Sequence, residues 1–248
     1  MKQNDTTVTN NVKKEAGVLH VDKQSKNKQD SAKQIVSTPD KDYLTGRISF
    51  SKDSRFVKID PKHCNGRTVY VRTEVAEAFE DMRKNALKDS IVLFVLSGAR
   101  TFEQQKNIWE RKWKIYQNLE PQARALKILA FSSMPMSSRH HWGTDIDMNS
   151  LENSYFEKGK GLKIYQWLTE HALKYGFCQV YNNKNINNRT GYEMEKWHWS
   201  YLPISHSLLE QYNNTIQISD FKGFSGCETA EEVKIIDDYV NGINSECK

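Results

Sequence analysis

The sequence lacks a long apolar run. No stretch of it approaches the roughly 18 apolar residues that a membrane-spanning helix needs, so no membrane span is predicted. The first fifteen residues, MKQNDTTVTNNVKKE, also lack the apolar centre of a signal peptide. Two interpretations stay open: the protein is cytoplasmic, or an export signal lies upstream of this sequence.

A strong charge of either sign is also missing. The 36 Lys and Arg residues stand against 31 Asp and Glu residues, which gives a net charge of +5 over 248 residues. Beyond a Lys-rich first segment the like charges form no blocks, so the composition predicts no nucleic-acid partner. The mild positive excess still favours an anionic partner, such as a bacterial wall polymer, through an attraction that salt weakens.

Cysteine pairs at metal-binding spacing are absent. Cys64, Cys178, Cys227 and Cys247 form no C-x-x-C motif, which argues against a structural zinc site built from cysteine. Cys227 and Cys247 flank a predicted helical segment and would pair in an oxidising compartment. Separate thiols are an equal alternative.

Large apolar residues are sparse at the N-terminus. Residues 1–42 are rich in Lys, Asn, Gln, Asp, Ser and Thr, and such a composition buries too little surface to offset the entropy of ordering. We predict a disordered tail or tether there. Globular character begins near Tyr43, and we expect a single domain over residues 43–248.

Apolar periodicity predicts helices and strands within this domain. The predicted helices cover residues 73–87, 101–116, 161–175 and 229–243. The predicted strands cover residues 91–96, 177–181 and 196–201. Thr73 is the expected N-cap of the first helix, Gly176 ends the third, and Thr229 with Glu232 forms a capping box on the last. This mixed order predicts an α+β fold, with a central antiparallel sheet flanked by helices.

The stretch SRHHWGTDID (138–147) holds two imidazoles and two carboxylates in ten residues. A catalytic zinc ion takes three protein ligands and leaves a fourth position for water. His140 and Asp147 suit such a set, because Gly143 lets the chain bend until both face one point. The third candidate is His198 in EKWH (195–198). A metal-free, hydrogen-bonded polar cluster is the alternative.

Alternation along residues 196–201 constrains the position of Glu195. On a strand, Trp197, Trp199 and Tyr201 share one face, and His198 and Ser200 lie on the other. Glu195 would therefore point away from His198 if the strand extended back to it. For both to reach one site, the chain must form a loop or bulge at Glu195.

Three ordered motifs together resemble the zinc D-alanyl-D-alanine carboxypeptidases of the VanY type. They are S-x-H-x-x-G-x-x-x-D at 138–147, E-x-W-H at 195–198, and SGARTFEQQ at 97–105, in which Arg100 precedes Gln105 by five residues. The resemblance extends from about Gly46 to the C-terminus. Two positions depart from the family pattern: Asp145 replaces a small apolar residue, and Lys196 replaces a common proline.

The resemblance implies roles for individual residues. One Zn²⁺ per chain would be bound by His140, Asp147 and His198. Glu195 would be the general base, and Arg100 would stabilise the oxyanion or hold the substrate. The expected substrate-binding positions are Ser138, Gln105 and Trp142, the last at the rim of the site. We expect His141 to be structural or to support a ligand, and Asp145 to be a loop carboxylate or the partner of a ligand.

The resemblance also implies an activity, the removal of the terminal D-Ala from D-Ala-D-Ala ends of peptidoglycan stem peptides. The expected location is the periplasm or cell envelope, although the sequence shows no signal peptide. Related peptidases stay open, namely an L,D-carboxypeptidase, a D-Ala-D-Ala dipeptidase or an endopeptidase. A catalytically silent module that binds wall peptide is a further alternative. The oligomeric state is not predicted.

Overall fold

The computed structural model describes residues 40–186 and 188–248. The predicted tail lies outside the described residues as far as residue 39. Asp40 caps a short helix that begins at Lys41, because its side chain accepts hydrogen bonds from the backbone of Asp42 and Tyr43. This short helix therefore begins before the predicted boundary at Tyr43.

Helices and short strands alternate along the described residues. The helices are α1 (Lys41–Leu44), α2 (Thr73–Lys88), α3 (Phe102–Ile115), α4 (Pro121–Leu129), α5 (Gly159–His171) and α6 (Leu202–Thr215). The strands are β1 (Phe56–Lys58), β2 (Tyr70–Arg72), β3 (Val95–Ser97), β4 (Asp145–Met148), β5 (Phe177–Cys178) and β6 (His198–Tyr201). No helix in the described ranges is long and apolar enough to cross a membrane.

Four strands form the sheet that carries the polar motifs. Their order is β3-β4-β6-β5, and every neighbouring pair is antiparallel. Strands β1 and β2 form a separate antiparallel pair. The predicted α+β fold with an antiparallel sheet and helices is confirmed.

The two faces of the β4–β6 pair differ in polarity. Alternation directs Ile146 and Met148 of β4, with Trp199 of β6, into an apolar cluster that also contains residues of α2 and α5. The opposite face carries the charged and polar residues of both strands. The predicted separation from His198 and Ser200 is confirmed for Trp199, whereas Trp197 precedes β6. A second apolar cluster takes residues from α3, α4, α6 and the C-terminal segment.

Three predicted helices are present with small shifts at their ends. Helix α3 begins with a capping box between Thr101 and Gln104. A 3-10 turn extends α5 to Tyr175, and Gly176 ends it with a left-handed φ of 82°, as predicted. Thr73 does not cap α2, because its hydroxyl donates to the carbonyl of Arg55. Helices α4 and α6 were not predicted.

The strands are shorter than predicted because groups outside the sheet bond to some of the backbone positions that a ladder would use. Asn149 takes a left-handed φ of 63°, and its amide group donates to the carbonyl of Val92 at 2.9 Å. The ladder of β3 therefore begins only at Val95. Strand β5 ends at Cys178, where Asn244 of the C-terminal segment takes over and donates from its backbone to Val180 at 2.8 Å.

The predicted helix over residues 229–243 is wrong. Lys234 adopts a left-handed φ of 51°, which an α-helix does not accommodate, and only a π-helical segment, Ile235–Val240, follows it. The expected capping box does not form. The hydroxyl of Thr229 donates instead to the carbonyl of Gly226 at 2.7 Å.

The proposed Cys227–Cys247 pairing is also wrong. Cys247 forms a disulfide with Cys178, and Cys227 and Cys64 are free thiols. The bond from Asn244 to Val180 brings the C-terminal residues beside β5. The Cα atoms of Cys178 and Cys247 consequently lie 5.8 Å apart, within the range of a disulfide.

Candidate metal centre

Strand pairing places the first two candidate ligands side by side. Asp147 of β4 lies opposite His198 of β6 in the antiparallel register, so both side chains leave the same face of the sheet. His198 Nδ1 and Asp147 Oδ1 are 3.1 Å apart. Both residues are almost completely buried.

The third candidate comes from the turn before β4. His140 lies in a 3-10 helix, Arg139–Trp142, which ends at Gly143 with a left-handed φ of 71°. A Cβ atom at Gly143 would overlap the ring of Phe56, so a glycine is required there. The turn brings His140 Nε2 within 3.3 Å of Asp147 Oδ2.

The donor set suits a zinc ion. One ligand atom from each of His140, Asp147 and His198 lies within 4.8 Å of the other two. His140 donates its Nδ1–H to the carbonyl of Gly98 at 2.8 Å, which leaves the Nε2 lone pair facing the cluster. No described residue offers Oδ1 of Asp147 a well-aligned donor. Two imidazoles and a carboxylate with a free lone pair are typical zinc ligands.

Burial and neighbouring charges shift the ionisation of this cluster. Burial lowers the pKa of His140. Burial also favours the neutral form of His198, but the carboxylates of Asp145 and Asp147 outweigh it and raise the pKa of His198 to about 10. Although burial acts to raise the pKa of Asp147, the two imidazoles hold it well below its usual range. The cluster therefore attracts positive charge.

Glu195 reaches the cluster from a loop. It precedes the turn that leads into β6, as the alternation argument required, and that prediction is confirmed. Its backbone is held on both sides, because its N–H donates to Tyr181 at 2.9 Å and its carbonyl accepts from Gln179 at 3.1 Å. Glu195 Oε2 lies 3.5 Å from His198 Nδ1. Burial raises the pKa of Glu195 to about 8.

Arg100 extends towards the cluster from the segment between β3 and α3. Its guanidinium donates to Gln105 Oε1 and to Ser97 Oγ, each at 2.8 Å. Arg100 Nη2 lies 3.7 Å from Asp147 Oδ2. Gln105 is itself fixed, because its Nε2 donates to the carbonyl of Ser133 at 2.6 Å. Gln105 therefore orients Arg100.

These groups open onto one cavity of about 610 Å³. Its lining includes the three candidate ligands together with Glu195 and Arg100. Two further cations, Arg111 and Lys112, line it from α3. Aromatic residues complete part of the wall, and the rings of Phe131 and Trp197 have centroids 6.4 Å apart.

The sequence matches a known family over the region that builds this centre. The family model for the VanY D-alanyl-D-alanine carboxypeptidase matches residues 68–204. This chain belongs to the VanY family. The predicted family is thereby confirmed.

Curated relatives of the VanY family agree. The putative carboxypeptidase YodJ of Bacillus subtilis is 32% identical over 148 residues, which are 58% of this chain and 51% of YodJ. A D-alanyl-D-alanine carboxypeptidase of Enterococcus faecalis is 28% identical over 61% of this chain and 58% of its own length. The chain thus spans about half the length of the curated relatives it matches.

Solved structures of the VanY type are also similar. VanYB in complex with D-alanine-D-alanine is 25% identical and has a TM-score of 0.48, over 68% of this chain and 93% of that chain. The LdcB LD-carboxypeptidase is 21% identical and has a TM-score of 0.48, over 75% of this chain and 79% of that chain.

The VanY resemblance predicts Trp142 at the rim of the site, but the structure places it in the core. It is only 1% exposed, packs against Tyr212, and donates from its indole to the carbonyl of Leu44. Because it follows the 3-10 turn of His140, its ring points into the core. Ser138 is also buried and, like Gln105, does not line the cavity. The predicted rim position of Trp142 is therefore wrong, whereas the substrate contacts of Ser138 and Gln105 stay predictions.

The two polar residues left open by the VanY motif have distinct environments. His141 is buried, donates its Nδ1–H to the carbonyl of Arg100 at 2.7 Å, and has its pKa lowered by burial to about 3. Asp145 is completely buried and lies 2.9 Å from His198 Nε2. Burial acts to raise the pKa of Asp145, but the guanidinium of Arg139 holds it well below its usual range.

Sequence reasoning missed two basic residues of this centre. Arg139 is enclosed within the motif, and nothing in its spacing distinguishes it from a surface arginine. Lys112 follows Arg111 in a predicted helix, and this pattern is typical of a solvent-exposed helix face. Only the packing of α3 against the cavity shows that Lys112 faces inward, where its Nζ donates to Ser132 Oγ at 2.6 Å.

Proposed function

We propose that this chain is a zinc-dependent carboxypeptidase that removes the terminal D-Ala from the D-Ala-D-Ala ends of peptidoglycan stem peptides. The observation that carries the proposal is the convergence of His140, Asp147 and His198 on one cavity that Glu195 and Arg100 also line. Two curated relatives, from Enterococcus faecalis and Enterococcus faecium, are named D-alanyl-D-alanine carboxypeptidases, which supports the choice of substrate.

His140 Nε2, His198 Nδ1 and an oxygen of Asp147 would hold the zinc ion. When bound, the ion supplies Lewis-acid polarisation of the scissile carbonyl and makes a water molecule more acidic. Glu195 is the general base of the reaction. Its Oε2 accepts a proton from the attacking water and then delivers it to the leaving amine of D-Ala. Burial raises the pKa of Glu195, which makes its carboxylate a stronger base.

Arg100 stabilises the negative charge that develops on the carbonyl oxygen. Its guanidinium is held by Gln105 and Ser97, so it needs little reorganisation when the charge forms. Lys112 and Arg111 add positive charge to the same cavity. This cationic wall suits a substrate that ends in a carboxylate, as a stem peptide does.

The proposed place of action is the cell envelope. The family is named for D-alanyl-D-alanine carboxypeptidase activity, and the stem peptides with such ends lie outside the cytoplasmic membrane. The disulfide between Cys178 and Cys247 is consistent with an oxidising compartment. The peptidoglycan stem peptide is the proposed partner.

The proposal is tested with purified protein that carries one zinc ion per chain. Incubation with a pentapeptide ending in D-Ala-D-Ala should release free D-Ala, detected by mass spectrometry and by a D-amino-acid oxidase assay. Glu195→Gln keeps the shape of the side chain and removes the base, so it should lower kcat by about 10²- to 10⁴-fold. The variant should still bind zinc, because Glu195 is outside the proposed ligand set.

Further substrates separate the related activities. A tetrapeptide that ends in a single D-Ala tests for L,D-carboxypeptidase activity, free D-Ala-D-Ala tests for dipeptidase activity, and cross-linked muropeptides test for endopeptidase activity. Pentapeptide binding without turnover would identify a silent binding module. The proposal fails if the zinc-loaded chain releases no D-Ala and Glu195→Gln behaves like the unmodified protein.

A further inference from the structure

A second carboxylate lies behind the candidate metal centre. Asp145 Oδ2 is 2.9 Å from His198 Nε2, the ring nitrogen that points away from Asp147. Asp145 and Asp147 occupy alternate positions of β4, so both leave the polar face of the strand. His198 thus has Asp145 at Nε2, and Asp147 and Glu195 near Nδ1.

Asp145 is not available as a metal ligand, because protein donors occupy both its oxygens. Oδ1 accepts from Thr144 Oγ1 at 2.7 Å and from Ser200 Oγ at 2.8 Å. Oδ2 accepts from Arg139 Nε at 3.0 Å and faces His198 Nε2. The carboxylate is therefore fixed in position before any ion binds.

Arg139 forms an ion pair with this carboxylate, with Nε 3.0 Å from Oδ2. Both side chains are completely buried, and Arg139 Nη2 also donates to Ser200 Oγ at 2.7 Å. The guanidinium lies 4.8 Å from the ring of Trp142, which restricts it from another side. A buried ion pair is weak evidence for stability, since apolar residues of similar volume replace such pairs at little cost. The position of the pair therefore calls for another reason.

An ionised, buried carboxylate only accepts hydrogen bonds, so His198 must present a protonated Nε2 to Asp145. In the neutral imidazole that would bind a cation, the lone pair of Nδ1 then faces His140 and Asp147. His140 is arranged in the opposite sense, with Nδ1–H bonded to the carbonyl of Gly98 and Nε2 free. The two imidazoles thus use different nitrogens, and a charged group supports only His198. A charged acceptor makes the ligating nitrogen more basic than a carbonyl does.

We propose that Asp145, held by Arg139, is a positioning residue that orients His198 and tightens its hold on a divalent cation. The inference rests on the proposed function, because it requires His198 to be a metal ligand. It assigns a role to the position at which this chain departs from the small apolar residue typical of the family.

The test compares zinc affinities by competition with a chromophoric chelator. Asp145→Asn keeps the shape and the acceptor oxygen but removes the charge, and we expect zinc binding about 10- to 100-fold weaker than in the unmodified protein. Thr144→Val is the matched control, because it removes one bond to Oδ1 of Asp145 and leaves the contact between Oδ2 and His198. Its zinc affinity should change less than about threefold, since the group that faces His198 is intact.

A cobalt-loaded sample gives a second measurement. Asp145→Asn should shift the visible absorption of bound Co²⁺, which reports the field of its ligands, whereas Thr144→Val should not. If Asp145→Asn does not fold, Arg139→Met with Asp145→Leu removes both charges together and should fold while binding zinc weakly.

Each outcome distinguishes this inference from the proposed function. If the unmodified chain binds no zinc, both are overturned. If it binds zinc and releases D-Ala, but Asp145→Asn or the double variant binds zinc as tightly, only the role of Asp145 is overturned. Equal loss of affinity in Thr144→Val and Asp145→Asn would mean that general packing, not the charge on Oδ2, controls the site.

Discussion

Breaking the disulfide between Cys178 and Cys247 should destabilise the fold measurably. The two cysteines are 69 residues apart in sequence. For a closed loop of that length, the chain-entropy relation gives about 4 kcal/mol of stabilisation at 25 °C. At roughly 2–4 °C per kcal/mol for a domain of this size, the expected decrease in Tm is roughly 8–16 °C.

Reduction of the unmodified protein is the cleanest perturbation, because it leaves both sulfur atoms in the core. The free energy of unfolding should be measured by urea titration in EDTA, with and without a phosphine reductant, so that metal binding does not contribute. Cys178→Ala with Cys247→Ala should show no further loss on reduction. Cys227→Ala is the control, since Cys227 is a free and partly exposed thiol.

The same bond should also influence the catalytic loop. Gln179, next to Cys178, donates to the carbonyl of Glu195 and accepts from Asn244 of the C-terminal segment. Release of that segment should therefore lower kcat as well as stability. The reasoning is refuted if reduction changes the free energy of unfolding by less than about 1 kcal/mol, well below the loop-entropy value. It is also refuted if Cys227→Ala costs as much as reduction.

Three other predictions concern the metal centre and its cavity. Removal of zinc by EDTA should lower Tm, and zinc at 100 times its Kd should restore about 2.7 kcal/mol; an unchanged melting curve would argue for a metal-free polar cluster. Lys112→Met should raise KM for the pentapeptide about tenfold with kcat nearly constant, because it removes one cation facing the substrate carboxylate. Steady-state kinetics measure both constants, and a fall in kcat with KM unchanged would contradict this role of Lys112. Gly143→Ala should cost at least about 1 kcal/mol, through its left-handed φ and its overlap with Phe56, and should weaken zinc binding in a chelator competition; full retention of both properties would exclude a required bend.

Local pattern was sufficient for the parts of the site that depend on chain order. The spacing of the motifs that hold the candidate ligands can be read from the sequence, and the strand period alone placed His198 on the face opposite Trp199. The same period required Glu195 to leave the strand, which the loop before β6 bears out. The ligand roles themselves stay predictions until metal binding is measured.

Features set by tertiary packing could not be read from the sequence. The contact between Asp145 and His198 depends on the register of β4 and β6, and the inward position of Lys112 depends on how α3 packs. Trp142 was misplaced because a motif gives the position of a residue along the chain and not the direction of its side chain. The prediction of a C-terminal helix was wrong because Lys234 adopts a left-handed conformation, which its residue type disfavours and the sequence pattern does not show.

If zinc binds as proposed, the register between β4 and β6 would couple its binding to correct folding. A slip of one residue would turn Asp147 towards the apolar cluster and bring Ile146 to face the polar site. The misaligned sheet would have no complete set of ligands. Only the native alignment would gain binding energy from zinc. Zinc would therefore stabilise correctly paired molecules over misaligned ones during refolding. Refolding yield should then rise with zinc even where the final stability is already adequate.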